Sequence, residues 1–130
     1  MAALILDASV LIGLLDTEDA HHERSVDAVE TADRAARQLL VPASAYSEAL
    51  VAFARARRMD DAREAIAAMG IAVTPLTEAI AERSAELRAT HARLRLPDAI
   101  VLATANELEG ELLSYDHRLA QLADKYGSRT

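Results

Sequence analysis

The chain has 130 residues, 52% of them apolar and 3% aromatic, with no cysteine and a formal net charge of −7. This length suits one domain, 1–130, with a sizeable aliphatic core, and the lack of cysteine excludes disulfides, thiolate zinc sites and cysteine nucleophiles and favours a cytoplasmic protein. The negative charge argues against a sequence-independent grip on a phosphate backbone, although arginine groups at Arg55, Arg57 and Arg58, at Arg83 and Arg88, and at Arg93 and Arg95 can attract one locally.

The opening run, MAALILDASVLIGLL, carries one charge, Asp7. It has no basic flank and is too short to span a membrane, so it reads as a buried strand over about residues 3–7 and a helix to about 15. A helix over about 19–37 follows, with His21 and His22 expected on its exposed start. QLLV is a short strand, and Pro42 suits the start of a helix running to about Arg58. A helix over about 60–69 stops at Gly70, IAVTPL is a strand, and a long helix spans about 77–93. LPDAIVLATANEL is a helix opened by Pro97 and stopped by Gly110. ELLSYD is then a strand and HRLAQLADKY a last short helix. Short apolar strands alternating with helices indicate an α/β fold whose parallel sheet is covered on both faces. In such open sheets ligands bind beyond the carboxyl ends of the strands.

The acids are placed against this apolar pattern. Asp7 ends the first strand, Glu48 sits alone in VPASAYSEALVAFA, Asp98 sits alone in LPDAIVLATAN, and Asp116 ends GELLSYD. An unpaired carboxylate in a core costs several kcal/mol or takes up a proton. Three of the acids have a plain alternative when taken alone: Asp7 and Asp116 as helix N-caps, Asp98 as a charge on a helix N-terminus. Glu48 lies beyond the first turn of a largely apolar helix and lacks such an excuse. Together the four are expected to converge on one edge of the sheet, with carboxylates near enough to share a cation.

Like charges about 4 Å apart repel by roughly 4 kcal/mol at an effective dielectric near 20. At least one of these pKa values is therefore expected to rise. An all-oxygen donor set suits Mg²⁺, or Mn²⁺, and such sites support phosphoryl transfer to water. Ser9 and Ser114, each two residues from an aspartate, are candidates for orienting a carboxylate or a water; on an extended strand Ser114 and Asp116 share a face. His91 reads as a hydrogen-bonded core residue and His117 as a helix start, while Tyr46, Tyr115 and Tyr126 are too scattered for a base-stacking platform.

Three segments, LILDASVLIGLL, PASAYSEAL and LRLPDAIVLATANELEGELLSYDHRL, carry a resemblance that runs over essentially the whole chain. The chain resembles the PIN-domain ribonucleases and is most similar to the VapC-type toxins of bacterial and archaeal toxin–antitoxin pairs. The resemblance implies a three-layer α/β/α fold with a short, mostly parallel sheet of about five strands. It implies that Asp7, Glu48, Asp98 and Asp116 are the catalytic and metal-holding acids of an Mg²⁺- or Mn²⁺-dependent endoribonuclease. It also implies a homodimer and a cognate antitoxin whose tail covers the acidic pocket, with an arginine among the carboxylates. Ser114 stands where the family often has threonine, and His117-Arg118-Leu119 replaces a stretch that usually ends in an aromatic residue.

Two other readings compete with this one. A catalytically silent RNA- or partner-binding module would not need all four acids. An aspartyl-phosphate phosphatase wants a second aspartate where Ser9 stands, and a pocket lysine, whereas the only lysine is Lys125.

Overall fold

The structure, a computed structural model, describes residues 1–126. Four strands and seven helices alternate through them: β1 (Leu4–Leu6), α1 (Ala8–Leu15), α2 (His22–Arg34), β2 (Leu39–Pro42), α3 (Ala43–Arg55), α4 (Met59–Ala68), β3 (Ile71–Thr74), α5 (Glu78–Thr90), α6 (Leu96–Glu107), β4 (Glu111–Leu113) and α7 (His117–Tyr126). Every element expected from the sequence is present; most are shorter than expected, while β2 and α4 are shifted by one residue and α7 has the expected bounds. β4 stops at Leu113, half the expected length, so Ser114 and Asp116 lie beyond the strand and not along one of its faces.

The strands form one sheet in the order β3-β2-β1-β4, and all three pairings are parallel. Four strands are found among the described residues where about five were expected. Register follows the period-two alternation of side chains. Leu4, Leu6, Leu39 and Val41 point into the larger core, and Ile5 and Leu40, one residue out of phase, meet Ala105 of α6 in a smaller cluster. Strands this apolar suit burial on both faces.

Local chemistry sets several boundaries. Asp7 caps α1 by accepting from the Val10 N–H at 3.1 Å, and Thr77 caps α5 by accepting from the Ile80 N–H at 3.2 Å. Pro97 occupies the first turn of α6, where a missing N–H costs nothing. After α6, Glu109 takes a left-handed φ of 51° and buried Gly110 turns the chain into β4 against Ile5. His91 ends α5 and its Nε2 lies 3.0 Å from the Tyr126 hydroxyl, the polar partnership expected of it.

Candidate active site

β1 delivers Asp7 to the carboxyl edge of the sheet, where the Asp7 N–H donates to the Leu113 carbonyl at 3.3 Å. Asp7 is 7% exposed, yet both of its oxygens are partnered. Ser9 Oγ donates to Oδ1 at 2.6 Å, beside the Val10 N–H, and Ser114 Oγ donates to Oδ2. The two serines therefore orient a carboxylate, the first of the two roles open to them. Ser114 also accepts from the Asp116 N–H at 3.1 Å, linking the first acid to the last.

Asp116 Oδ1 accepts from the Arg118 and Leu119 N–H groups at 3.0 and 3.2 Å, capping α7. The capping readings of Asp7 and Asp116 thus hold alongside their convergence. Asp98 lies in the first turn of α6, and its Oδ2 stands 3.5 Å from Arg95 Nε. Glu48, expected in the core, is exposed instead at the rim, as is Val51 one turn on. The outward face of α3 is apolar by composition, with Val51 and Ala52 both open to solvent.

All four acids line one cavity of about 180 Å³, together with Ser9 and Arg95. Chain segments more than a hundred residues apart meet here, at the carboxyl edge of the sheet. The tighter expectation is not met by the side chains as they stand. Among the described residues no three of Asp, Glu, His or Cys are close enough together to hold one ion. The acids are engaged elsewhere: Asp7 by hydroxyls, Asp98 by Arg95, Asp116 by backbone N–H groups. The donor chemistry nonetheless fits a hard divalent cation, since every acidic group on the cavity wall offers oxygen and neither a thiol nor an imidazole is among them.

Burial raises the Glu48 carboxyl above its ordinary range; Arg95 pulls it back, and the charges of Asp98 and Asp7 push it further up. Mutual repulsion does contribute to a raised pKa, as expected, but desolvation is the larger cause. A raised carboxyl stabilises the fold below its unfolded pKa, and that contribution is lost as the pH rises through the folded value. Without metal, Glu48→Gln should therefore match wild type near pH 4 and melt roughly 1–3 °C higher at neutral pH. The gain is small because Glu48 is exposed. Thermal melts in EDTA at both pH values check this; a neutral-pH loss of stability would show that the carboxylate is structural.

The PIN domain family matches residues 4–125. This chain belongs to the PIN domain family. The PIN domain described here superposes on a toxin–antitoxin complex from Klebsiella pneumoniae with a TM-score of 0.73 and 26% identity, over 89% of this chain and 88% of that one. It superposes on VapC20 of Mycobacterium tuberculosis, a sarcin–ricin-loop-cleaving toxin, with a TM-score of 0.71 over 92% of this chain and 95% of that one. Identity there is 15%, so that likeness is one of fold. No curated protein sequence matches this PIN domain.

Sequence reasoning missed two residues of the site. Arg95 reads as one of a surface pair of arginines, yet it lines the acidic cavity. Its signal was its place three residues before Asp98, one helical turn away. Tyr115 reads as scattered, yet it is clasped. His21 stacks on its ring with centroids 4.2 Å apart, the Arg24 guanidinium lies 4.7 Å above it, and its hydroxyl sits 2.7 Å from the fully buried Ser25 Oγ. His21 is half-buried for that reason, not exposed, and His22 is half-buried too, its Nδ1 2.7 Å from the Gly13 carbonyl. The clasp fixes the residue between Ser114 and Asp116, and its partners lie ninety residues away in sequence.

Proposed function

We propose that this PIN domain is an Mg²⁺- or Mn²⁺-dependent endoribonuclease, the toxin of a VapBC-type pair, acting on cytoplasmic RNA. The observation that carries the reading is the single cavity lined by Asp7, Glu48, Asp98 and Asp116, brought there by four separate elements. Those four residues would hold the cation, which when bound lowers the pKa of a water and stabilises the leaving oxygen. Ser9 and Ser114 hold Asp7 in one orientation, so its oxygens are aimed before substrate arrives. Among the described residues Arg95 offers the cavity its one cationic side chain, matched in geometry to a phosphodiester oxygen pair.

The likeness to a toxin–antitoxin complex supports a protein partner as restraint. Arg95 beside Asp98 shows that a guanidinium is accepted among these acids, so an antitoxin arginine can be too. The silent-module reading is weaker because no acid of the four is replaced or turned away. The phosphatase reading is weaker still: Ser9 serves Asp7 as a donor, and Lys125 lines a neighbouring groove and not the acidic cavity.

Attack by water leaves a 5′-phosphate and a 3′-hydroxyl, whereas attack by the ribose 2′-hydroxyl leaves a cyclic phosphate and needs a base such as histidine. Among the described residues no histidine lines the acidic cavity. End-labelled RNA should therefore yield fragments with 5′-phosphates in Mn²⁺ and remain whole in EDTA. Cyclic ends, or cutting that persists in EDTA, would overturn the metal-dependent mechanism.

A further inference from the structure

A second cavity, of about 580 Å³, opens beside the acidic one, and Asp98 and Asp116 belong to the walls of both. Its remaining walls come from residues 91–94, which join α5 to α6, and from α7. Arg93, Arg118 and Lys125 line it, in a chain whose net charge is −7. Four arginines elsewhere are taken up by acids: Arg37 by Glu111, Arg58 by Asp61, Arg63 by Asp60 and Arg83 by Glu86; Arg24, Arg34, Arg55, Arg57 and Arg88 form no ion pair among the described residues but line neither this groove nor the acidic cavity. Arg93 and Arg118 make no ion pair among the described residues, and Lys125 rests 5.4 Å from the Tyr126 ring centroid with no carboxylate partner there. Leu94 and Leu119, both buried, and Leu122, half-buried, give the same groove an apolar floor.

We propose that this groove is the track along which single-stranded RNA reaches the acidic cavity. Backbone phosphates lie on Arg93, Arg118 and Lys125, and unstacked bases or sugars rest on the leucine floor. The inference rests on the ribonuclease reading and deepens it by naming the surface that receives the substrate. Charge complementarity carries it: three cations without an acid partner line one groove of an acidic protein, and that groove runs into the site where a phosphodiester must be placed. Its volume lies within the roughly 300–1,000 Å³ of small-ligand pockets, and a single strand presents the unstacked bases that an apolar floor can accept. An acidic peptide segment is the other occupant such chemistry accepts, and the test separates the two.

Binding of a fluorescent single-stranded RNA decamer is measured by anisotropy across a salt series in EDTA, where no cleavage occurs. Each phosphate neutralised on a single strand contributes about 0.7 to the slope of log affinity against log salt. Arg93→Ala, Arg118→Ala and Lys125→Ala should each reduce the slope by about 0.7, and the triple variant by about 2. Arg55→Ala, on an exposed residue outside both cavities, should leave it unchanged. Arg93→Lys with Arg118→Lys should keep the wild-type slope, so a loss seen only in alanine variants reports charge and not folding. Slopes unchanged in the alanine variants would overturn the proposal, as would variants that keep RNA binding and lose only an acidic decapeptide. Cleavage by wild type in Mn²⁺, run in parallel, reports separately on the ribonuclease reading. Absent cleavage with intact, groove-dependent RNA binding would remove that reading and leave the groove assignment standing.

Discussion

Asp7→Asn and Asp98→Asn should each slow RNA cleavage by at least a hundredfold or so, because even residues that only support a metal ligand cost about 10–100-fold when changed. The fold should survive both changes. Asparagine caps a helix as well as aspartate does, so the Val10 N–H keeps an acceptor. The new amide can donate to the Ser114 hydroxyl, which turns to accept where it now donates. At Asp98 the loss is one long, largely solvated pair with Arg95, worth a few tenths of a kcal/mol at most. Removal of one of several like charges offsets that loss. Single-turnover cleavage and thermal melting of the same preparations check the separation, and relief of growth arrest on expression gives a cellular readout. Asp7→Ala is the contrast, since it strips a cap and leaves two buried-side hydroxyls without their acceptor, costing about 1–2 kcal/mol. Unfolding of both asparagine variants would make the acids structural and end the catalytic reading.

Gly110→Ala should be strongly damaging for the addition of a single methyl group. A Cβ there would stand 2.7 Å from Ile5 Cγ1 and 3.1 Å from the Ala3 carbonyl. Ile5 is fully buried in the central strand and cannot swing aside. Overpacking of this kind costs about 1–3 kcal/mol, which for a chain of this size lowers the melting temperature by roughly 5–10 °C. The strain falls where β1 meets β4, so cleavage should drop as well, because that junction aligns Asp7 with Ser114. Gly70→Ala is a useful comparison. Its φ of 72° disfavours alanine, but its Cβ would meet nothing within 4 Å, so about 1 kcal/mol and unaltered activity are expected. Equal melting temperatures for the two variants would refute the close-approach argument.

Much of this was legible in the sequence, for a physical reason. Strands such as LIL and LLVP are apolar throughout because both faces of a parallel sheet are covered, so their class and order could be read directly. The four acids were legible because each interrupts an apolar run. Two things were not. The end of β4 at Leu113 depends on pairing with the three residues of β1, a partner a hundred residues away. The side chains that complete the site, Arg95 and Tyr115, look ordinary in sequence and acquire their meaning from neighbours on other elements. Glu48 shows the opposite failure: apolar surroundings in sequence did not bury it, because the apolar face of α3 is itself partly exposed.

The pairing of the first strand with the last has a consequence in time. Asp7 and Ser114, which touch, are 107 residues apart. A contact of that span closes late, since ordering so long a loop must precede any reward from the contact. During synthesis, at about 5–20 residues per second, β1 can pair early with β2 but has no β4 to complete it. Asp7 then lacks the Ser114 hydroxyl, and the cavity lacks Asp116 altogether. On the ribonuclease reading, a nascent chain would spare the message that is making it and would become competent only once its final strand has been released and docked.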